Sequence, residues 1–213
     1  MTADIKLLMP KKKYLKRKLN KQTTYRAIVI GASSGGLHAL KRLLPALPAD
    51  YPCAVLVVQH MSPHSDNYMT TMLNMASSIK VKEADEKEVV VPGTVYVAPP
   101  DYHMMVEADE TISLSVDNKV NYSRPSIDVL FETAADTFGE QLIGIVLTGA
   151  NADGAAGLRA VKNAGGYTIV QDPEDAESPV MPAAAIRLAK PHSILSLDEI
   201  IKVLLKPGFV LPL

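Results

Sequence analysis

Gly31-Ala32-Ser33-Ser34-Gly35 satisfies the pattern G-x-S-x-G between a strand-like apolar run and a helical pattern, the setting that motif needs. Small neighbours permit a sharp turn and close backbone approach. They would expose the Ser33 hydroxyl at the start of the next helix, where free N–H groups can stabilise an oxyanion. The same loop also reads as a phosphate-binding turn, because glycine-rich helix starts cradle anions. It matches neither G-x-G-x-x-G nor the P-loop with its terminal Lys-Ser/Thr, and a plain structural turn is the third reading.

A serine at its free pKa is a poor nucleophile and needs an adjacent base. His60 ends the apolar run Ala54–Val58 at Gln59-His60, and that strand should neighbour the first. His64, four residues on in a polar loop, is the rival; His38 and His192 read as surface residues. Asp153 follows the strand-like Ile143–Leu147 and could orient His60 through a hydrogen bond. It could equally cap the helix that begins at Gly154-Ala155-Ala156, or do both. Asp101 and Asp172 also follow strands and stay open on these grounds.

The elements that must position these groups alternate between short β-like runs and helical patterns, the signature of an α/β fold. A doubly wound, mostly parallel sheet with helices on both faces is expected, a Rossmann-like three-layer sandwich. Strands are expected at Ala27–Ile30, Ala54–Val58, Ile79–Ala84, Thr94–Ala98, Ile143–Leu147, Tyr167–Val170 and Ser193–Leu195. Leu37, Leu40, Leu44 and Leu47 recur at helical spacing, and residues 66–77 read as a helix whose Met69, Met72 and Met75 pack in the core. Pro125 opens a further helix to about Phe138, one runs on to about Asn163, and two more cover Pro182–Leu188 and Leu197–Leu205. His103–Glu107 and Thr111–Val116 form a β-hairpin insertion around Ala108-Asp109-Glu110. Open α/β sheets bind at the carboxyl ends of their strands, so the loops bearing Ser33, His60, Asp101 and Asp153 should converge on one sheet edge.

Length and composition set the limits. At 213 residues, 47% apolar and 21% charged, the chain fits one soluble domain, expected over 25–213 behind a basic tail at 1–24. Residues 1–26 hold nine Lys or Arg against the single acid Asp4, a formal +8, which leaves −9 on the remainder. That tail reads as a solvated leader or as a dock for an acidic partner; aromatics are few there, so nucleic-acid binding is not expected. No apolar run approaches the roughly 20 residues a bilayer crossing needs, and the N-terminus lacks a secretory signal. A cytoplasmic protein without membrane insertion is expected. Cys53 is the only cysteine, which excludes an intrachain disulfide and a cysteine-based zinc cluster; it reads as a buried thiol.

Five separated stretches, in order, resemble the catalytic domain of the CheB chemotaxis protein-glutamate methylesterase family. They are Ile30-Gly31-Ala32-Ser33-Ser34-Gly35-Gly36, Val58-Gln59-His60-Met61, Val97-Ala98-Pro99 with His103, Arg124-Pro125-Ser126-Ile127-Asp128-Val129-Leu130-Phe131, and Leu147-Thr148-Gly149 with Asp153-Gly154-Ala155-Ala156-Gly157-Leu158. The resemblance runs from about Tyr25 to about Leu205. It implies Ser33 as nucleophile, His60 as general base and Asp153 as its orienting carboxylate, with the backbone N–H groups of Ser34 and Ala150 holding the oxyanion. The implied reaction is hydrolysis of glutamate γ-methyl esters on chemoreceptor helices, or on another methyl-esterified protein, to glutamate and methanol. Glutamine deamidation follows the same acyl-enzyme logic, and no metal or organic cofactor is needed. The chain order Ser, His, Asp sets it apart from the α/β-hydrolases.

Three departures accompany the resemblance. Chemotaxis methylesterases normally carry an N-terminal receiver domain and linker where this sequence shows a short basic tail, which leaves a separate response regulator as a candidate partner. The family's Thr-Gly-Met-Gly stands here as Thr148-Gly149-Ala150-Asn151. The stretch before Met181-Pro182 also differs. These changes keep open a catalytically weak relative serving as a signalling or binding module, and an esterase or amidase with a different substrate.

Overall fold

The structure is a computed structural model that describes residues 25–206. Its frame is a seven-stranded sheet, every pairing of which is parallel. The strands are β1 (Ala27–Ala32), β2 (Ala54–Gln59), β3 (Lys80–Glu83), β4 (Thr94–Val97), β7 (Leu142–Val146), β8 (Tyr167–Gln171) and β9 (Ser193–Leu195), in the order β3-β4-β2-β1-β7-β8-β9. β5 (His103–Val106) and β6 (Ile112–Ser115) pair antiparallel as a separate hairpin, as the sequence implies. Parallel strands covered on both faces must be apolar throughout, and every residue of β1, β2, β7 and β8 is buried.

Side chains alternate across the sheet. Ile28 and Ile30 of β1 point into a core shared with α1 (Gly36–Leu43), α2 (Tyr68–Ala76) and α6 (Leu197–Leu204). Ala27 and Val29 face the opposite core, built with α3 (Ile127–Phe138), α4 (Ala155–Asn163), α5 (Val180–Ala189) and the hairpin residues Met104 and Ile112. The expected three-layer sandwich is therefore present. Cys53 is buried, its thiol on the Tyr25 carbonyl at 3.3 Å, and burial pushes its pKa up to about 11, so it is no nucleophile.

Two expectations need correction. Met69 and Met72 pack against the core, but Met75 is 83% exposed, because α2 is half-exposed and turns that position to solvent. α3 begins at Ile127 rather than at Pro125. The expected basic tail at 1–24 lies outside the described residues; Arg26, just beyond it, pairs with Glu110 on the hairpin turn at 2.5 and 2.7 Å.

α3 and α4 cross so closely that only glycine fits at their contact. A Cβ at Gly157 would lie 2.6 Å from Phe131 Cβ and 2.9 Å from Asp128 Cα, while the Gly157 N–H donates to Asp128 at 2.6 Å. Gly157→Ala is expected to cost about 1–3 kcal/mol of unfolding free energy in spite of alanine's better helix propensity. Urea denaturation checks this; an unchanged midpoint would contradict the packing argument.

Candidate active site

The strand order reverses at β1, whose chain neighbour β2 lies on one side and whose far partner β7 lies on the other. Loops leaving that switch point frame a crevice. The register sets their level: Ala32 pairs with Gln59 and Gly31 with Val146, so Ser33 and His60 leave adjacent strands side by side. His60 N–H donates to the Ala32 carbonyl at 3.0 Å, and Ser33 N–H to that of Thr148 at 3.0 Å.

The turn after β1 is built for closeness. Gly35 has φ +79° at the start of α1, a conformation other residues rarely adopt, and a Cβ at Gly36 would fall 2.1 Å from Gln59 Oε1. Gln59 returns the contact by donating to the carbonyls of Ser33 at 2.9 Å and His60 at 2.8 Å, which fixes the two loops against each other. Thr148 joins a third. Its Oγ1 donates to the Ser34 carbonyl at 2.8 Å and accepts from Ser178 N–H at 2.7 Å, while its own N–H donates to Gln171 at 3.0 Å. Ser33 is half-buried, and its hydroxyl has no hydrogen-bond partner among the described residues. The N–H groups of Ser34 and Ala150 donate to no backbone acceptor among the described residues, so both are open to a ligand oxygen.

His60 Nε2 lies 2.8 Å from Asp153 Oδ2, with the ring 12% exposed and the carboxylate fully buried. The Asp153 carboxylate accepts four further hydrogen bonds. Ile127 N–H donates to Oδ2 at 2.7 Å; Oδ1 takes Asn121 Nδ2 and the Ser126 hydroxyl, each at 2.9 Å, and Asp128 N–H at 3.2 Å. Burial alone would raise its pKa, but the hydrogen bonds from His60, Asn121 and Ile127, and the attraction of His60 when it is protonated, outweigh it and hold the carboxyl below its usual value. Asp153 thus sits on the N-terminus of α3, whose Ser126 makes no side-chain cap of its own. The sequence suggested a cap for the helix that follows it, but α4 starts on Gly154 with no side-chain cap, so Asp153 serves a helix distant in sequence.

The rival groups stand apart from the pair. Asp101 binds Arg124 at 2.8 and 3.0 Å, Asp172 accepts from Glu174 N–H at 3.0 Å, and His64 is exposed, only its backbone N–H donating to Ser62 Oγ at 3.3 Å. His38 is exposed, 3.8 Å from Glu177. His192 is exposed, as expected, with its Nδ1 accepting from Thr168 N–H at 3.1 Å and its ring stacked on Tyr167. Buried His103 is structural, accepting from Ser126 N–H at 3.2 Å and meeting the Asn118 carbonyl at 3.1 Å.

Sequence reasoning missed Asn121, whose amide bridges Asp153 and, at 2.8 Å, Asp128. No periodicity marks that residue; it stands in a loop at φ +50°. Sequence reasoning marked Asn151 only as a departure from the family motif and not as a contact of the pair: Oδ1 accepts from Asp153 N–H at 3.1 Å and Nδ2 lies 3.4 Å from His60 Nδ1. Among the described residues, no cluster of His, Cys, Asp and Glu could hold a metal, and no helix is long and apolar enough to cross a membrane.

The family model described as CheB methylesterase matches residues 28–204, most of the chain. The chain belongs to the CheB methylesterase family. A Leptospira interrogans protein named as a putative protein-glutamate methylesterase/protein-glutamine glutaminase is 48% identical over 182 residues, covering 85% of this chain and 94% of that protein. Protein-glutamate methylesterase/protein-glutamine glutaminase 2 of Methanosarcina mazei is 38% identical over 200 residues, 88% of this chain but only 54% of its own length. The crystal structure of the Thermotoga maritima CheB methylesterase catalytic domain superposes with a TM-score of 0.82 at 34% identity, covering 85% of this chain and 97% of that domain. The observed sheet and layers are those of the CheB catalytic domain, and the ester-hydrolase class expected from the motifs is the class of the family.

Proposed function

We propose that this CheB-family chain hydrolyses glutamate γ-methyl esters on the cytoplasmic helices of chemoreceptors, through Ser33, His60 and Asp153. The observation that carries the reading is the 2.8 Å contact between His60 and a fully buried Asp153, set beside a serine with an unengaged hydroxyl. Ser33 Oγ attacks the ester carbonyl as His60 takes its proton, and Asp153 stabilises the imidazolium. The open N–H groups of Ser34 and Ala150 are the donors for the tetrahedral oxyanion. His60 then protonates the departing methanol and activates the water that releases glutamate. Glutamine in the same position would lose ammonia by the same route. The base, the carboxylate and the donors are all supplied by the chain, so the sequence of steps uses no cofactor.

The cleft beside His60 has a volume of about 120 Å³ and is lined by Met61, Lys119, Tyr122 and Arg124. Methanol release from methyl-esterified receptor cytoplasmic fragments tests the proposal. Release with matching gain of free glutamate is expected. Turnover of simple esters without release from these fragments would reject the substrate, and turnover of neither would reject the enzyme reading in favour of a binding module.

A further inference from the structure

We infer that Asn151 is a positioning residue that closes the free enzyme by holding the base lone pair of His60; the inference rests on the triad reading above. The orientation of its amide follows from its surroundings. Asp153 N–H can only donate, so the oxygen it meets at 3.1 Å is Asn151 Oδ1, and the NH2 group is turned to His60 Nδ1 at 3.4 Å. An NH2 group can only donate, so Nδ1 must be the unprotonated ring nitrogen. The ring proton is then on Nε2, where Asp153 accepts it at 2.8 Å. The nitrogen that must take the Ser33 proton is therefore engaged by Asn151, while Ser33 Oγ has no partner among the described residues. Both amide atoms act on the catalytic pair, and the contact at Nδ1 is long enough to yield. Attack requires it to open, so the resting enzyme holds its nucleophile uncoupled until the amide is displaced from Nδ1.

Covalent labelling of Ser33 by a small uncharged fluorophosphonate reads this coupling directly, because the probe needs no receptor docking. The serine displaces fluoride from phosphorus, its proton passes to His60, and hydrogen fluoride is the product. Asn151→Ala and Asn151→Ser are both expected to label about fivefold faster than wild type, the effect of one neutral hydrogen bond removed. Serine can still accept from Asp153 N–H, so a purely structural role would instead slow the alanine variant and let serine restore the rate. Asn151→Asp keeps that acceptor but turns an oxygen toward Nδ1, which favours a proton there; it should label roughly tenfold more slowly. Thermal unfolding of each variant shows that it is folded. Slower labelling in both Asn151→Ala and Asn151→Ser would overturn the gate. Ser33→Ala is the control for the triad reading: labelling that survives it defeats that reading, whereas lost labelling with no acceleration in the Asn151 variants defeats the gate alone.

Discussion

Ser33→Ala is expected to reduce methanol release by about 10⁴-fold or more while leaving the fold intact. The size follows from the serine's place in a cooperating unit: without it the base has no proton to take and no acyl-enzyme can form. The intact fold follows from the structure, since the hydroxyl it removes bonds to no described residue, and such changes stay within about 0.5 kcal/mol. His60→Ala should fall as far, and the double variant no further than either single one, because members of one relay are not additive. Kinetics of the three variants, each with its unfolding midpoint, provide the check. A double variant worse by the product of the singles would show that the two residues do not act together.

Asp153→Asn should lose both rate and stability. Oδ1 of Asp153 receives three donors and Oδ2 two, so an asparagine would keep its oxygen on the Oδ1 side and turn its NH2 toward His60 and Ile127. Nε2 would then have to accept rather than donate, the ring proton would move to Nδ1, and the lone pair that serves Ser33 would be gone. A loss of about 10⁴-fold in turnover is the expected scale for a wrong tautomer. Ile127 N–H would face a donor inside the fold, which costs about 1–3 kcal/mol. The pH dependence has a definite sign. Asp153 titrates in the fold below its unfolded value, so its contribution is present above roughly pH 4 and is lost as pH falls through the lowered folded pKa. Asp128, which burial pushes up, runs the other way, contributing most when protonated and losing that contribution as pH rises through its folded pKa. The stability gap between wild type and Asp153→Asn should therefore narrow on acidification from pH 5 downward. Denaturation curves at pH 3 and pH 7 measure it, and a gap that widens in acid would show that the carboxylate is not held in its charged form.

The frame was legible because it obeys local periods. Continuous apolar runs such as Ala54–Val58 announce covered parallel strands, and Leu37 and Leu40 announce α1, although it ends at Leu43 and leaves Leu44 and Leu47 to the turn that follows. The meeting of the Ser33, His60 and Asp153 loops was legible too, from the rule that such sheets expose their ligands at strand ends. What stayed hidden depends on contacts between distant stretches. Asp153 looks like a cap for the helix beside it, yet it caps α3, because folding brings Ile127 N–H to 2.7 Å and no nearby donor competes. Asn121 carries no pattern at all, and Thr148 shows only as one member of a family stretch; one stands in a left-handed loop and the other at a strand end, and only the folded chain shows what each one ties together. Asn151 was visible only as a departure from the family motif, without the amide orientation that gives it a role.

The switch point at β1 also sets a timetable. Nucleophile and base leave β1 and β2, which are neighbours in sequence and in space, whereas the carboxylate follows β7, made only after the hairpin and α3. A chain emerging from synthesis carries Ser33 and His60 long before Asp153 exists to orient the ring. Long-range parallel pairing is also the slow part of folding, since a large loop must close before any contact rewards it. On the proposed triad, full ester cleavage would therefore begin only once β7 docks on β1. Half-made chains would then leave the esters around them intact, and the return of activity during refolding would be a clock for that single closure.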